Sequence, residues 1–197
     1  MSDRSTRREL VGSAAVAVIA TGLTGARAAR AQTPPMTDAD VLRRTLQIEQ
    51  VVVIAYRRAI SSGALQPPIA RQLRAFLGQE LQHVAILEGA LRSLGAPVPP
   101  PPRDLAAAQR ALTTHHVEAS LIDLRTEKDC LRLLVDVETL AEDAYFEAVG
   151  KLTDAALQRT SAQIMGCEAQ HWTVLSSARH HGDVMISVPY PFVGGPL

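Results

Sequence analysis

The sequence predicts an all-α protein, a four-helix bundle with one long crossover between the second and third helices. Three observations carry this. Ala, Leu, Val and Arg abound beside only three Phe, three Tyr and one Trp, a balance that favours helices over strands. Apolar side chains recur at alternating steps of four and three along four separate stretches, the spacing of a bundle seam. The joints within the first and second pairs of stretches are short, whereas the middle joint is long and rich in proline, so the helices pair as two antiparallel hairpins.

The chain opens with a segment that reads as an export signal, over residues 1–31. Arg7 and Arg8 are paired and followed by Glu9, Leu10 and Val11, which resembles the twin-arginine export motif, although Leu10 and Gly12 stand where Phe and Lys are usual. Leu10 to Gly25 carries no charge, and Ala29-Arg30-Ala31 forms an A-x-A cleavage site ahead of Gln32. The competing reading is a membrane anchor left uncleaved. With the signal removed, 166 residues remain with 15 basic and 18 acidic side chains. A mildly acidic domain with scattered Arg has no basic face for nucleic acid, and no apolar run in it is long enough to span a membrane.

The bundle domain is assigned to residues 32–186. Thr37 or Asp38 caps the first helix, whose inward stripe is Leu42, Leu46, Glu49, Val53, Tyr56 and Ile60, ending at Ser61-Ser62-Gly63. Pro67-Pro68 suit the start of the second, with the stripe Leu73, Leu77, Glu80, Val84, Leu87, Leu91 and Leu94 and a stop at Gly95. Five prolines between Ala96 and Arg103 forbid helix there, and a minor helical turn is expected from Asp104 to Leu112. The third long helix is expected from about Ser120, with the stripe Leu131, Val135, Glu138, Glu142, Tyr145 and Val149. After a turn at Gly150 to Thr153, Asp154 caps the fourth: Leu157, Ser161, Ile164, Glu168, His171, Leu175 and Ala178. Residues 187–197 form an extended, Pro-rich tail. Cys130 and Cys167 fall at different heights on neighbouring helices, so they are expected to be unbridged apolar fillers.

A Glu interrupts each apolar stripe near its middle, and the two halves repeat. Gly78-Gln79-Glu80-Leu81-Gln82-His83 aligns with Gly166-Cys167-Glu168-Ala169-Gln170-His171 at an offset of 88, and Glu49 and Tyr56 align with Glu138 and Tyr145 at an offset of 89. This is the mark of an internal duplication; glycine inside a helix, at Gly78 and Gly166, further suggests close helix approach. Nine Glu and six His in 166 residues would give about 0.3 Glu-x-x-His pairs by chance; here there are two, each facing a helix with a lone Glu. Residues three apart share a helix face, so Glu80 with His83 and Glu168 with His171 can bind one metal or adjacent metals, with Glu49 and Glu138 closing the site. Four bare carboxylates in a core would each cost several kcal/mol, and two divalent cations balance their charge.

This arrangement resembles the ferritin-like di-iron carboxylate family, the group of bacterioferritin and rubrerythrin, over about Asp38 to Gly182. The resemblance implies that Glu49 and Glu138 are terminal carboxylates, that Glu80 and Glu168 bridge two metals, and that His83 and His171 each cap one. It implies two iron ions as cofactor, with manganese as the alternative, and dioxygen or peroxide as the small-molecule partner; a homodimer is left open. The leader, the Pro-rich crossover and the Pro-Tyr-Pro-Phe tail are similar to the exported ferritin-like branch that includes desiccation-related proteins, which places the mature protein in the periplasm or outside the cell, with no membrane association after cleavage.

Three residues beyond the ligand pattern are candidates for the chemistry. Glu142, where the first helix has Val53, is an extra ligand, an acid beside the ligands, or a residue that swings out to an Arg. Tyr56 and Tyr145 either pack the core or hydrogen-bond a metal-bound carboxylate of another helix. His115-His116 and His180-His181 lie at helix ends and read as solvated surface. The leading functional expectation is oxidase or peroxidase-type chemistry on dioxygen, peroxide or ferrous iron. The alternatives are a non-catalytic structural or stress protein and, third, a subunit of an iron-storage cage. The exported protein is predicted to begin at Gln32, which N-terminal sequencing checks, and replacing Arg7 and Arg8 with Lys is predicted to hold the precursor inside the cell.

Overall fold

The computed structural model describes residues 36–188, and within them the chain is helical with no strand. The order is α1 (Asp38–Ser61), α2 (Pro67–Ser93), α3 (Leu105–Thr114), α4 (Glu127–Lys151), α5 (Ala155–Arg179) and the single turn α6 (Val184–Ser187). The proposed signal at 1–31 and the tail beyond 188 lie outside the described residues. Ser187, placed in that tail by the sequence, closes α6 instead.

Local chemistry sets each start. Thr37 caps α1 by accepting from Asp40 N–H at 3.2 Å while the Asp40 carboxylate accepts from Thr37 N–H at 3.1 Å, a reciprocal capping box. Thr126 and Asp129 build the same box at α4, at 3.1 and 2.9 Å, 89 residues further on, so the duplication extends to the caps. The third long helix therefore begins at Glu127 and not near Ser120. The preceding loop is committed elsewhere, since Leu121 N–H donates to Gln109 Oε1 at 2.7 Å and Gln109 Nε2 donates to the Ala119 carbonyl at 3.3 Å. Asp154 caps α5 by accepting from Ala156 and Leu157.

The helices pack α1 on α2, α4 on α5 and α1 on α4, while α2 and α5 touch least. The crossover runs from Leu94 to Thr126 and carries α3, which leans on α1; Gln50 Nε2 holds it by donating to the Pro99 carbonyl at 2.9 Å. At the N-terminal end of α1, the Asp38 carboxylate accepts from Thr153 and Asp154 N–H at 2.8 and 3.0 Å, tying the two hairpins together. Apolar side chains form two clusters. One includes Val52, Tyr56, Leu73, Phe76, Leu134 and Leu175. The other includes Leu42, Leu46, Leu87, Leu91, Tyr145 and Ile164.

Two expectations about packing are corrected. The face that α2 buries is Leu73, Phe76, Glu80, His83, Leu87 and Leu91; Leu77 and Val84 are only half-buried and Leu94 is exposed, because the helix is turned to bring His83 inward. Gly78 and Gly166 do not mark close helix approach, since a Cβ at either would meet nothing within 4 Å. Cys130 is a buried free thiol, as expected of a filler, but Cys167 is free and only half-buried. No helix among the described residues is long and apolar enough to cross a membrane.

Leu134 is wholly buried, so Leu134→Ala is predicted to cost about 2–5 kcal/mol, against about 1 kcal/mol for loss of the cap in Asp154→Ala. Urea denaturation of both variants checks the order, and a larger loss from the cap would overturn it.

Candidate metal centre

Each of the four long helices turns a Glu into the middle of the bundle. Glu49 comes from α1, Glu80 and His83 from α2, Glu138 from α4, and Glu168 and His171 from α5. All four carboxylates have 0% exposure, while His83 retains 6% and His171 1%. The six side chains fall into two groups whose ligand-type atoms lie within 4.8 Å of one another: Glu49, Glu80, His83 and Glu168, and Glu80, Glu138, Glu168 and His171. Glu80 and Glu168 belong to both. The i, i+3 spacing within each Glu-x-x-His places its two side chains on the same inward line.

The distances match ligands converging on small cations. His83 Nδ1 lies 2.7 Å from Glu168 Oε1, 3.4 Å from Glu80 Oε2 and 3.7 Å from Glu49 Oε1. His171 Nδ1 lies 2.7 Å from Glu80 Oε1, 3.6 Å from Glu138 Oε1 and 3.8 Å from Glu168 Oε2. Each imidazole is therefore nearest the carboxylate of the opposite Glu-x-x-His. These approaches do not lie along hydrogen-bond directions. Among the described residues nine buried side-chain polar atoms lack a hydrogen-bond partner, and eight belong to these six residues: one oxygen each of Glu49 and Glu138, both oxygens of Glu80 and Glu168, and Nδ1 of both His. Native interiors tolerate few such atoms. Atoms around one cation at about 2.1 Å would stand roughly 3 Å apart, so the donor set fits two metal ions sharing Glu80 and Glu168.

The Oε1 oxygens of Glu49 and Glu138, the ones nearer the two imidazoles, are also held by phenols. Tyr56 on α1 donates to Glu138 Oε1 on α4, and Tyr145 on α4 donates to Glu49 Oε1 on α1 at 2.5 Å. Both phenols are wholly buried. The two bonds are equivalents under the duplication and cross between its halves.

Electrostatics without a cation are severe. Burial, then the charges of Glu168 and Glu80, drive the Glu49 carboxyl well above its ordinary range, and burial followed by Glu168 does the same to Glu138. Burial opposes ionisation of Glu168 too, but the imidazoles of His171 and His83 outweigh it and bring the group down to about 2. Burial likewise opposes charge on both His, yet the surrounding carboxylates prevail and push His83 up to about 11 and His171 up to about 12. Protons thus occupy the places cations would take, and metal binding must release them.

Glu142 lies outside both groups. It is half-buried, has no hydrogen-bond or ion-pair partner among the described residues, and is shifted upward by burial and then by Asp143 and Glu168. Trp172 is half-buried and donates from Nε1 to Thr139 Oγ1 at 3.0 Å. His115, His116, His180 and His181 belong to neither group. Two neighbours of the centre were not singled out from the sequence for any role there. Gln79 Oε1 lies 2.6 Å from His171 Nε2, with Cys167 Sγ 3.6 Å from the same nitrogen. Phe76 stacks on the His171 ring at a centroid distance of 4.1 Å. The one signal for the first was that Gln79 and Cys167 mismatch inside an otherwise well-kept repeat.

Folded metal-free protein holds protons on Glu49 and Glu138 above their ordinary value of 4.5, and on His83 and His171 above 6.5. The folded state then binds more protons than the unfolded one, so its stability falls as pH rises. The contribution of Glu168 runs the other way, being lost as pH drops from 4.5 towards about 2, outside the window of interest. The melting temperature of chelator-treated protein is predicted to fall between about pH 6.5 and pH 9 and that of metal-loaded protein to stay nearly level. Calorimetry at several pH values checks this, and a metal-free melting temperature that rises over that window would overturn it.

The family model of the ferritin-like domain matches residues 37–181, from the cap of α1 to just past the end of α5, with all six buried Glu and His inside the span. Among curated proteins and among solved structures, no match is found. With the family's match covering the whole bundle and the buried Glu and His cluster at its centre, the chain belongs to the ferritin-like domain family.

Proposed function

We propose that this chain is an exported protein that holds a carboxylate-bridged pair of iron ions, with manganese as the alternative, and uses the pair in oxidase or peroxidase-type chemistry on dioxygen, peroxide or ferrous iron. The observation that carries the reading is the set of eight orphaned buried atoms on six side chains, arranged as two groups with two shared carboxylates. Carboxylate and imidazole donors without thiolate suit iron or manganese. Export is supported by the Arg7-Arg8 pair, the uncharged run to Gly25 and the Ala29-Arg30-Ala31 site.

In this reading Glu49, Glu80, His83 and Glu168 would hold one ion and Glu80, Glu138, Glu168 and His171 the other, with Glu80 and Glu168 common to both. When bound, the pair supplies Lewis acidity and one-electron redox change. The chain supplies everything else. Tyr145 and Tyr56 fix the orientation of Glu49 and Glu138 by donating to Oε1 of each, the oxygen nearer the imidazole, while Oε2 has no hydrogen-bond partner. The apolar clusters on both sides keep bulk water from the centre. Glu142, half-buried and outside the ligand groups, retains its proton to higher pH than an ordinary carboxyl, which suits it to deliver protons to reduced oxygen species.

Metal-loaded protein is predicted to contain two ions per chain by elemental analysis, and a ratio of one or zero breaks the model. Replacing both His83 and His171 with Ala is predicted to abolish the rise in melting temperature that metal brings. Glu142→Gln is predicted to keep both ions and slow peroxide turnover, whereas Glu138→Gln loses metal. Loss of metal in the first variant with retention in the second would reverse the assignment. Ferrous protein whose absorbance does not change on adding peroxide would make the metals a structural cross-link of four helices.

A further inference from the structure

The two halves of the centre are equivalent in their ligands and unequal in what stands behind them. Under the offset of 88, Gln79 corresponds to Cys167, Phe76 to Ile164 and His83 to His171. The Gln79–His171 contact is real, at 2.6 Å, and its equivalent would be Cys167 with His83. That contact is not made. Cys167 Sγ turns to His171 and to Gln79 instead, at 3.6 and 3.9 Å, and His83 Nε2 has no hydrogen-bond partner among the described residues. The ring of His171 is also stacked on Phe76 at 4.1 Å, whereas the repeat puts an aliphatic residue, Ile164, at the corresponding place.

Chemistry assigns the proton. For Nδ1 of His171 to bind a cation among Glu80, Glu138 and Glu168 it must be bare, so Nε2 carries the hydrogen and donates it to the Gln79 carbonyl oxygen. That bond fixes the tautomer, holds the ring plane and makes Nδ1 a better donor, as acceptors behind metal-bound imidazoles generally do. His83 has no such support.

Building on the two-metal reading above, we propose that Gln79 is a positioning residue that makes the two metal positions unequal, so that the position at Glu80, Glu138, Glu168 and His171 fills first and binds more tightly than the position at Glu49, Glu80, Glu168 and His83. The inequality gives the pair an order of assembly, with a firmly held ion and a more exchangeable one.

The test is anaerobic titration of chelator-stripped full chain with cobalt(II), followed by calorimetry and visible absorbance. Two ions are expected to bind in two resolved steps, with His171→Ala removing the tight step and His83→Ala the weak one. Gln79→Leu is expected to weaken the tight step about 10- to 100-fold and to leave the weak step within about threefold. Gln79→Glu keeps an acceptor at the same place and is expected to restore the tight step. Gln79 is exposed on α2, so both variants are expected to keep the parent's helical circular dichroism and cooperative unfolding without metal, which separates positioning from loss of the fold. Loss of the tight step in His83→Ala, equal weakening of both steps in Gln79→Leu, or a Gln79→Glu variant as weak as Gln79→Leu would each overturn the inference. Two equivalent ions in the parent would also overturn it while leaving the two-metal reading intact, whereas fewer than two ions in the parent overturns that reading itself.

Discussion

Four carboxylates with no exposure to water meet at the middle of an apolar bundle, and each would cost several kcal/mol there without compensation. That debt shapes the rest of the molecule. It requires four long helices, so that each can bring one Glu to the centre while its apolar residues pack against its neighbours. It requires both imidazoles to sit within ion-pair reach of the acids. It sets the protonation of the metal-free state, in which imidazolium and protonated carboxyls stand in for cations.

The load is not shared evenly around the bundle. On the α1–α4 side, Tyr56 reaches from one helix to Glu138 and Tyr145 reaches back to Glu49, so the two lone carboxylates are braced reciprocally across a well-packed interface. The α2–α5 side is the least packed contact in the bundle, and Gly78 and Gly166 on it are exposed, with open space where a Cβ would stand. The stiff side braces Glu49 and Glu138, and the loose side carries both Glu-x-x-His pairs.

Much of this was legible in the sequence because helical periodicity and the duplication reinforce each other. Glu49, Glu80, Glu138 and Glu168 stood out as acids on apolar stripes, and the structure brings all four together with His83 and His171. The Tyr–Glu bonds were one of two readings left open, since a stripe shows that a phenol points inward but not what its hydroxyl meets. What was not legible depends on rotation and on side-chain reach. Steps of three and four from Leu73 lead equally well to Leu77 and Val84 or to Phe76 and His83, and the turn of α2 about its axis chooses between them. The start of α4 departs from its apolar pattern because Gln109 captures the loop around Leu121, a contact from α3 that no local pattern announces, although counting 89 residues from Thr37 lands on Thr126. Glycine within a helix suggests close packing, yet Gly78 and Gly166 border open space.

The matched capping boxes at Thr37 and Thr126 mark two hairpins of one design, each holding a lone Glu, a Glu-x-x-His and a phenol for its partner's Glu. Such a hairpin carries half of a site and finds the other half in a copy of itself related by a two-fold axis. Written into one chain and joined by the crossover, the second half is present at about millimolar effective concentration whatever the protein concentration. Tethering also releases the copies from symmetry. Gln79 beside Cys167, and Phe76 beside Ile164, are differences that a pair of identical hairpins could never hold, because any change in one would appear in both.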